Sequence, residues 1–316
     1  MLGAGVAGTL HARGDQVVVL QRRPSQVAAD LGLAEFLADL TEADVLREAA
    51  TGAEAVIHLA ARVGVVGSAA EFQATNVHGT RTVLAAARHG GARRFVFISS
   101  PSVAHVGSAL AGADAGPADP RRAKSHYSRT KAQAELDVLA ADTPGFATIS
   151  IRPHLMWGPG DAQLVGRIVE RARSGRLALV GGGRALIDTT YVDNAVEAVV
   201  AALDRAEVGH GEAFVVSNGE PRTVAELFER ICAAAGEVPP HRSVPRPVAW
   251  AGGAVAEAVW RVARRTDDPP MTRFLAGQLA TAHWFDQRRV REVLGWAPRV
   301  SLDQGVARLA QGFTGP

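Results

Sequence analysis

Four short runs in the first half of the chain are apolar at nearly every position: Gln16 to Leu20, Ala55 to Leu59, Arg94 to Ser99 and Ala147 to Arg152. Runs without apolar/polar alternation predict strands covered on both faces. Between them, Glu42 to Ala50, Phe72 to His89 and Tyr127 to Ala140 carry apolar residues at helical spacing. Such alternation predicts an α/β fold, a doubly wound parallel sheet with right-handed crossovers. After Pro153 the pattern becomes irregular. Helices are expected at Val165 to Arg173, Ala195 to Ala206, Val224 to Ala235 and Gln287 to Leu294, with short strands and Pro/Gly-rich joints between them. Residues 1–153 are therefore read as one domain. Residues 154–316 form a smaller lobe over the carboxyl ends of the strands, where ligands of such sheets bind, and return in part to the first domain. Ala109 to Pro120, rich in Ala, Gly, Asp and Pro, reads as a flexible loop.

The start of the chain breaks the pattern. Gly3 to Gly8 spell G-A-G-V-A-G, which matches a dinucleotide-binding fingerprint only when a strand precedes it and a helix follows. Only Met1 and Leu2 come first, and the spacing of Leu2, Val6 and Leu10 suits a helix ending near Gly14. Two readings stand: a complete loop at Gly3 to Gly8, or Gly3 as the last glycine of a phosphate loop whose strand and earlier glycines are missing. The second is favoured, because the first leaves a very short following helix. It predicts an unfilled slot between two halves of the sheet.

Composition narrows the classes. With 47% apolar and 21% charged residues the chain is that of a globular protein. Net charge is +2 and the arginines are scattered, which argues against a nucleic-acid groove. The lone Cys232 excludes an internal disulfide, and no histidine pair at i, i+4 has a third ligand nearby, so no metal is expected. No signal sequence or stretch of about 20 apolar residues is present, so a cytoplasmic location without stable membrane insertion is expected. Pro247 to Arg265 reads as an amphipathic helix at a pocket mouth, interrupted by Glu257.

The chain has two tyrosines and two lysines, yet Tyr127 and Lys131 stand four apart in HYSRTKAQAEL. On a helix these positions share a face, so an ammonium can sit near a phenol across one ligand. Such a cation favours the phenolate and is expected to lower the Tyr127 pKa toward the range useful for proton transfer. An accidental surface pair is the competing reading.

Together with this pair, Gly3, Asp39-Leu40, HLAA at His58 to Ala61, NVHGT at Asn76 to Thr80, ISS at Ile98 to Ser100, Arg152-Pro153 and LGWAP at Leu294 to Pro298 resemble the extended short-chain dehydrogenase/reductases, the epimerase/dehydratase superfamily. RPHLMWGPGD, DTTYVDNA, MTRF and HWFD look most like its 3β-hydroxysteroid dehydrogenase branch, nearest to bacterial 2-alkyl-3-oxoalkanoate reductases and sterol carboxylate dehydrogenases. The resemblance spans essentially the whole chain. It implies a Rossmann-like dinucleotide-binding domain over 1–153 and a substrate-binding lobe over 154–316. Tyr127 would exchange a proton with the substrate oxygen, Lys131 would hold the nicotinamide ribose, and Ser100, with Ser99 as runner-up, would hydrogen-bond the reacting oxygen. Gly3, Ala60 and Pro153 would line the dinucleotide, with Asp39 and Leu40 at the adenine edge. His58 is read as a core residue. His154 and His283 are read as substrate contacts or plain packing. Asn76 is read as a helix N-cap or a relay member, without a choice between them.

Where an NAD enzyme of this design carries an acidic residue, after the strand Gln16 to Leu20, this chain has Gln21, Arg22 and Arg23. Two guanidinium groups suit a 2′-phosphate, so NADP is favoured over NAD. The leading expectation is an oxidoreductase moving a hydride between nicotinamide and a keto or hydroxy group of a bulky apolar molecule, a β-keto acid or sterol-like compound. Five tryptophans in the second half would suit an apolar pocket there. The alternatives are a sugar-nucleotide epimerase and a non-catalytic dinucleotide sensor. Pro101-Ser102, where dehydratases carry an acidic pair, disfavours dehydration. By resemblance, a homodimer through the helices Phe72 to His89 and Tyr127 to Ala140 is expected.

Overall fold

The computed structural model describes residues 1–64, 66–105, 109–263, 265 and 269–314. Its centre is a parallel sheet in the order Ala213–Val216, Ala147–Pro153, Arg94–Ile98, Ala55–His58. The two inner strands are buried almost throughout, Ala147–Pro153 including its polar Thr148, Ser150 and Arg152. A second parallel pair, Val18–Gln21 with Ala34–Leu37, forms a sheet of its own. The expected separation of the sheet into two halves is what the strands show. Burial differs accordingly: Val18–Gln21 is only partly covered and Val18 is exposed, contrary to the expectation of two covered faces, because no ladder joins it to the main sheet.

The first helix runs from Leu2 to Arg13, so Gly3 to Gly8 are helical and do not form a complete phosphate loop. Gly14, at φ 94°, ends it by donating its N–H to the carbonyls of Leu10 and His11. Leu2, Val6 and Leu10 pack into the core that also holds Ala195, Val199 and Leu203 of the helix Val192–Asp204. A Cβ at Gly5 would stand 2.6 Å from Val196 Cγ2, so the glycine permits the two helices to approach.

The second half adds its own core around Trp157, Tyr191, Leu227 and Phe228. It also weaves back into the first. Ala213–Val216 extends the main sheet, and His283–Phe285 pairs with Leu110–Ala113 in a small sheet completed by Leu186–Ile187 and Arg222–Thr223. Part of the segment read as a flexible loop is therefore a strand, created by a partner far away in the chain, His283 opposite Leu110. The expected helix at Pro247 to Arg265 spans Arg246–Val262; Arg264 lies outside the described residues. No helix among the described residues is long and apolar enough to cross a membrane.

Candidate active site

Ser125 opens the helix His126–Ala140. Its hydroxyl accepts from the Ser128 N–H at 3.0 Å, and the Ser128 hydroxyl returns to the Ser125 N–H at 3.3 Å, a reciprocal cap that fixes the first turn. Tyr127 sits in that turn. The Thr130 hydroxyl braces it further, donating to the carbonyl of His126 at 2.8 Å. The side chains that reach the strands from this helix are Lys131 and Glu135.

Both chemical groups of this helix converge on the carboxyl end of the strand Arg94–Ile98. Ser100 stands near enough to the phenol of Tyr127 to favour its ionised form. Its hydroxyl also lies 3.0 Å from that of Ser102 and caps the short 3-10 turn Pro101–Val103. Lys131, 2% exposed, donates from Nζ to the Ile98 carbonyl at 2.5 Å and sits 3.8 Å above the Phe97 ring centroid. The shared face is confirmed, but one electrostatic expectation is not. Burial raises the Tyr127 pKa, opposed by Ser100, and the expected lowering by Lys131 is not found. The lysine itself is shifted the other way: burial lowers it to about 7, with Glu135 pulling it back up.

Asn76 is neither at a helix start nor exposed. It lies 1% exposed inside a π-helical segment, Gln73–Gly79, so the N-cap reading is corrected. Its Oδ1 accepts from the Arg62 N–H at 2.7 Å, while Nδ2 donates to the Arg62 carbonyl at 3.1 Å and to the Thr130 hydroxyl at 3.0 Å. The side chain thus clips the loop after the strand Ala55–His58 to the Tyr127 helix. Sequence reasoning left Asn76 out of the site; a π-bulge, which often marks function, is set by non-local packing and has no simple sequence signal.

The residues expected along the dinucleotide differ in state. Arg22 and Arg23 follow the strand Val18–Gln21, are exposed, and form no ion pair or side-chain hydrogen bond among the described residues. Glu35 shapes their turn, accepting from Gln21 Nε2 at 2.6 Å and from the Ser25 N–H at 3.0 Å. Asp39 is exposed and accepts from the N–H and hydroxyl of Thr41, whereas Leu40 is buried and so close to Gly79 that a Cβ there would stand 2.8 Å from its own. Ala60 is exposed, Pro153 is half-buried at the end of its strand, and Gly3 is exposed with open space around it. Two free guanidinium groups, a buried ammonium without an ion-pair partner, and a buried Ser99 hydroxyl without a hydrogen-bond partner fit a ligand bearing phosphate and ribose hydroxyls.

His58 is the core residue expected, 4% exposed and 3.0 Å from the Thr80 hydroxyl, with burial first and Lys131 second lowering its pKa to about 3. His154 and His283 are buried against each other, Nε2 to Nδ1 at 3.1 Å, with Phe285 edge-on to His154. Burial lowers both. Nearby Asp188 is raised to about 6 by burial and takes a 2.5 Å hydrogen bond from Ser217. The tryptophans do not share a pocket: Trp157 and Trp296 fill cores, Trp250 is exposed, and Trp284 lines a cavity of about 350 Å³ with Gly112 and Gln287. A cavity of about 540 Å³ between Val165, Val169, Leu309 and Phe313 contains neither Tyr127 nor Ser100. Among the described residues no three His, Cys, Asp or Glu side chains gather as metal ligands.

A model of the NAD dependent epimerase/dehydratase family matches residues 1–217, with the strand end, the Tyr127 helix and the Arg152-Pro153 segment inside it. The chain belongs to this family. A 2-alkyl-3-oxoalkanoate reductase of Stenotrophomonas maltophilia is 39% identical over 314 residues, covering 98% of this chain and 95% of the relative. A 3 beta-hydroxysteroid dehydrogenase/Delta 5-->4-isomerase of Mycobacterium tuberculosis is 31% identical, covering 96% and 85%. The crystal structure of gox2253 superposes with a TM-score of 0.80 at 24% identity over 99% of this chain and 95% of that one, which bears on the fold alone. Within the family the chain falls in the extended short-chain, 3β-hydroxysteroid dehydrogenase branch, and it is an NAD(P)-dependent oxidoreductase.

Proposed function

We propose that this enzyme reduces the keto group of a bulky apolar β-keto acid, with NADP(H) as its dinucleotide and NAD(H) as the poorer alternative. The observation that carries the proposal is the Lys131 ammonium, buried one helical turn beyond Tyr127 and bonded to the Ile98 carbonyl at the end of the strand Arg94–Ile98, with Ser100 beside the phenol. Because burial raises the phenol, Tyr127 keeps its proton at neutral pH and is ready as an acid. It releases that proton to the substrate oxygen as negative charge develops there. Ser100 donates to the same oxygen and orients it. Lys131 holds the ribose hydroxyls, and Arg22 and Arg23 hold a 2′-phosphate. Gly3, Asp39, Leu40, Ala60 and Pro153 line the rest of the cleft. When bound, the nicotinamide supplies the hydride.

The bulky apolar substrate class is supported by the named relatives, a 2-alkyl-3-oxoalkanoate reductase and a hydroxysteroid dehydrogenase. We also propose that two copies pair through the outer faces of the helices that include Phe72 to His89 and His126 to Ala140, where Leu136 is exposed. The test is the loss of reduced-nicotinamide absorbance with 2-alkyl-3-keto acids, 3-ketosteroids and sugar nucleotides. Turnover with the first class is expected. Interconversion of sugar nucleotides without net consumption of NADPH or NADH would replace the reductase reading by an epimerase.

A further inference from the structure

Glu135 is the third charged or ionisable residue at four-residue spacing on the Tyr127 helix, after Tyr127 and Lys131. It is fully buried, and so is Arg152 on the neighbouring strand Ala147–Pro153. The two form a bidentate ion pair: Arg152 Nε donates to Glu135 Oε2 at 2.9 Å and Nη2 donates to Oε1. The Ser150 hydroxyl adds a further hydrogen bond to Oε2 at 2.9 Å. The remaining nitrogen of Arg152, Nη1, turns to the carbonyls of Ala115 and Gly116, the latter at 3.1 Å. One guanidinium thus joins the helix, the central strand and the loop after Leu110–Ala113.

We propose that Glu135 and Arg152 are positioning residues for Lys131. Their pair clamps the helix onto the strand Ala147–Pro153 while Lys131 grips the adjacent strand at Ile98, and Glu135 supplies the negative charge that keeps the buried ammonium protonated. The inference rests on the reading of Tyr127 and Lys131 as catalytic groups and assigns a purpose to a buried ion pair. A pair kept for stability alone is replaceable by apolar residues of similar volume, often without loss. A pair that tunes Lys131 is not.

The other groups around Lys131 cannot replace Glu135. His58, from the strand Ala55–His58, is uncharged at neutral pH. The strand Arg94–Ile98 offers only the Phe97 ring and the Ile98 carbonyl, and Tyr127 keeps its proton. Asn76 reaches this helix through Thr130 and carries no charge. Glu135 is also the acid that raises Lys131 against its burial.

The chain has two lysines, Lys124 exposed and Lys131 buried, so protein labelled with ¹³C at lysine Cε gives two titrating signals. In the parent the Lys131 signal should titrate near 7. In Glu135→Gln, and in the volume-matched double variant Glu135→Leu with Arg152→Met, it should move down by about one pH unit, with Lys124 unchanged. The alkaline limb of kcat should move with it, even where the double variant unfolds at the parent temperature. A Lys131 midpoint unchanged in both variants would overturn the proposal. Should the double variant fail to fold, the isosteric Glu135→Gln decides alone. The lysine titration is read without turnover, so an inactive enzyme or a wrong substrate class leaves it interpretable. Conversely, turnover surviving Tyr127→Phe would refute the proposed chemistry without touching the titration.

Discussion

The region around Tyr127 and the region around Arg22 are built on opposite principles. Around Tyr127, polar groups are buried or half-buried and nearly all are bonded: Ser100 to Ser102, Lys131 to Ile98, Asn76 to Arg62 and Thr130, Glu135 to Arg152. Around Arg22, two cations stand in solvent with no protein partner, on a strand pair that does not hydrogen-bond to the main sheet. Buried groups pay desolvation and gain fixed geometry, which suits proton transfer. Exposed arginines keep their hydration and their reach, which suits capture of a phosphate. The difference predicts that mutations in the first region alter stability and turnover, whereas those in the second alter cofactor choice.

The largest effect is expected from Arg152→Ala. It leaves the Glu135 carboxylate buried and unpaired, and losing one partner of a buried pair costs about 3–5 kcal/mol. Urea unfolding should show the midpoint falling with an unchanged slope. A loss below about 1 kcal/mol would mean that water reaches Glu135 and that this region is not the dry one.

In the open region, Arg22→Ala with Arg23→Ala should raise KM for NADPH about 10–100-fold, the equivalent of one or two charge-assisted hydrogen bonds, and leave NADH nearly unchanged. Stability should stay within about 0.5 kcal/mol, since neither arginine has a protein partner. Equal effects on the two cofactors would remove the phosphate assignment.

The remaining effect concerns pH. Lys131 titrates near 7 in the folded chain and near 10.4 when unfolded, so the unfolded chain binds the extra proton and stability rises with pH across that window. Lys131→Met removes the penalty. Its Tm should exceed that of the parent by a few degrees at or below pH 7, and the gap should close toward pH 10; thermal melts at pH 6, 8 and 10 read this directly. A gap independent of pH would show that the ammonium is not desolvated.

How much of this was legible depended on whether the relevant contacts are local. The helix Val165–Arg173 has the bounds that its periodicity predicts, because that periodicity is local to the segment. Ala34–Leu37 was not seen as a strand, because AEFL carries Glu35 and is only half covered. Leu110–Ala113 looked like a loop, since its strand character comes from His283–Phe285. Glu135 and Arg152 stand 17 residues apart, and nothing in the sequence pairs them until the fold buries them together. The phenol was expected to fall and instead rises. Residue spacing places Lys131 on the right face but does not reveal that its ammonium bends to the Ile98 carbonyl.

The central claim is that Tyr127 delivers the proton. The most direct measurement is kcat for NADPH oxidation with a 2-alkyl-3-keto acid by Tyr127→Phe, alongside its Kd for NADPH. The account predicts a fall in kcat of about 10²–10⁴-fold with Kd changed less than about threefold. Turnover within about tenfold of the parent would contradict it.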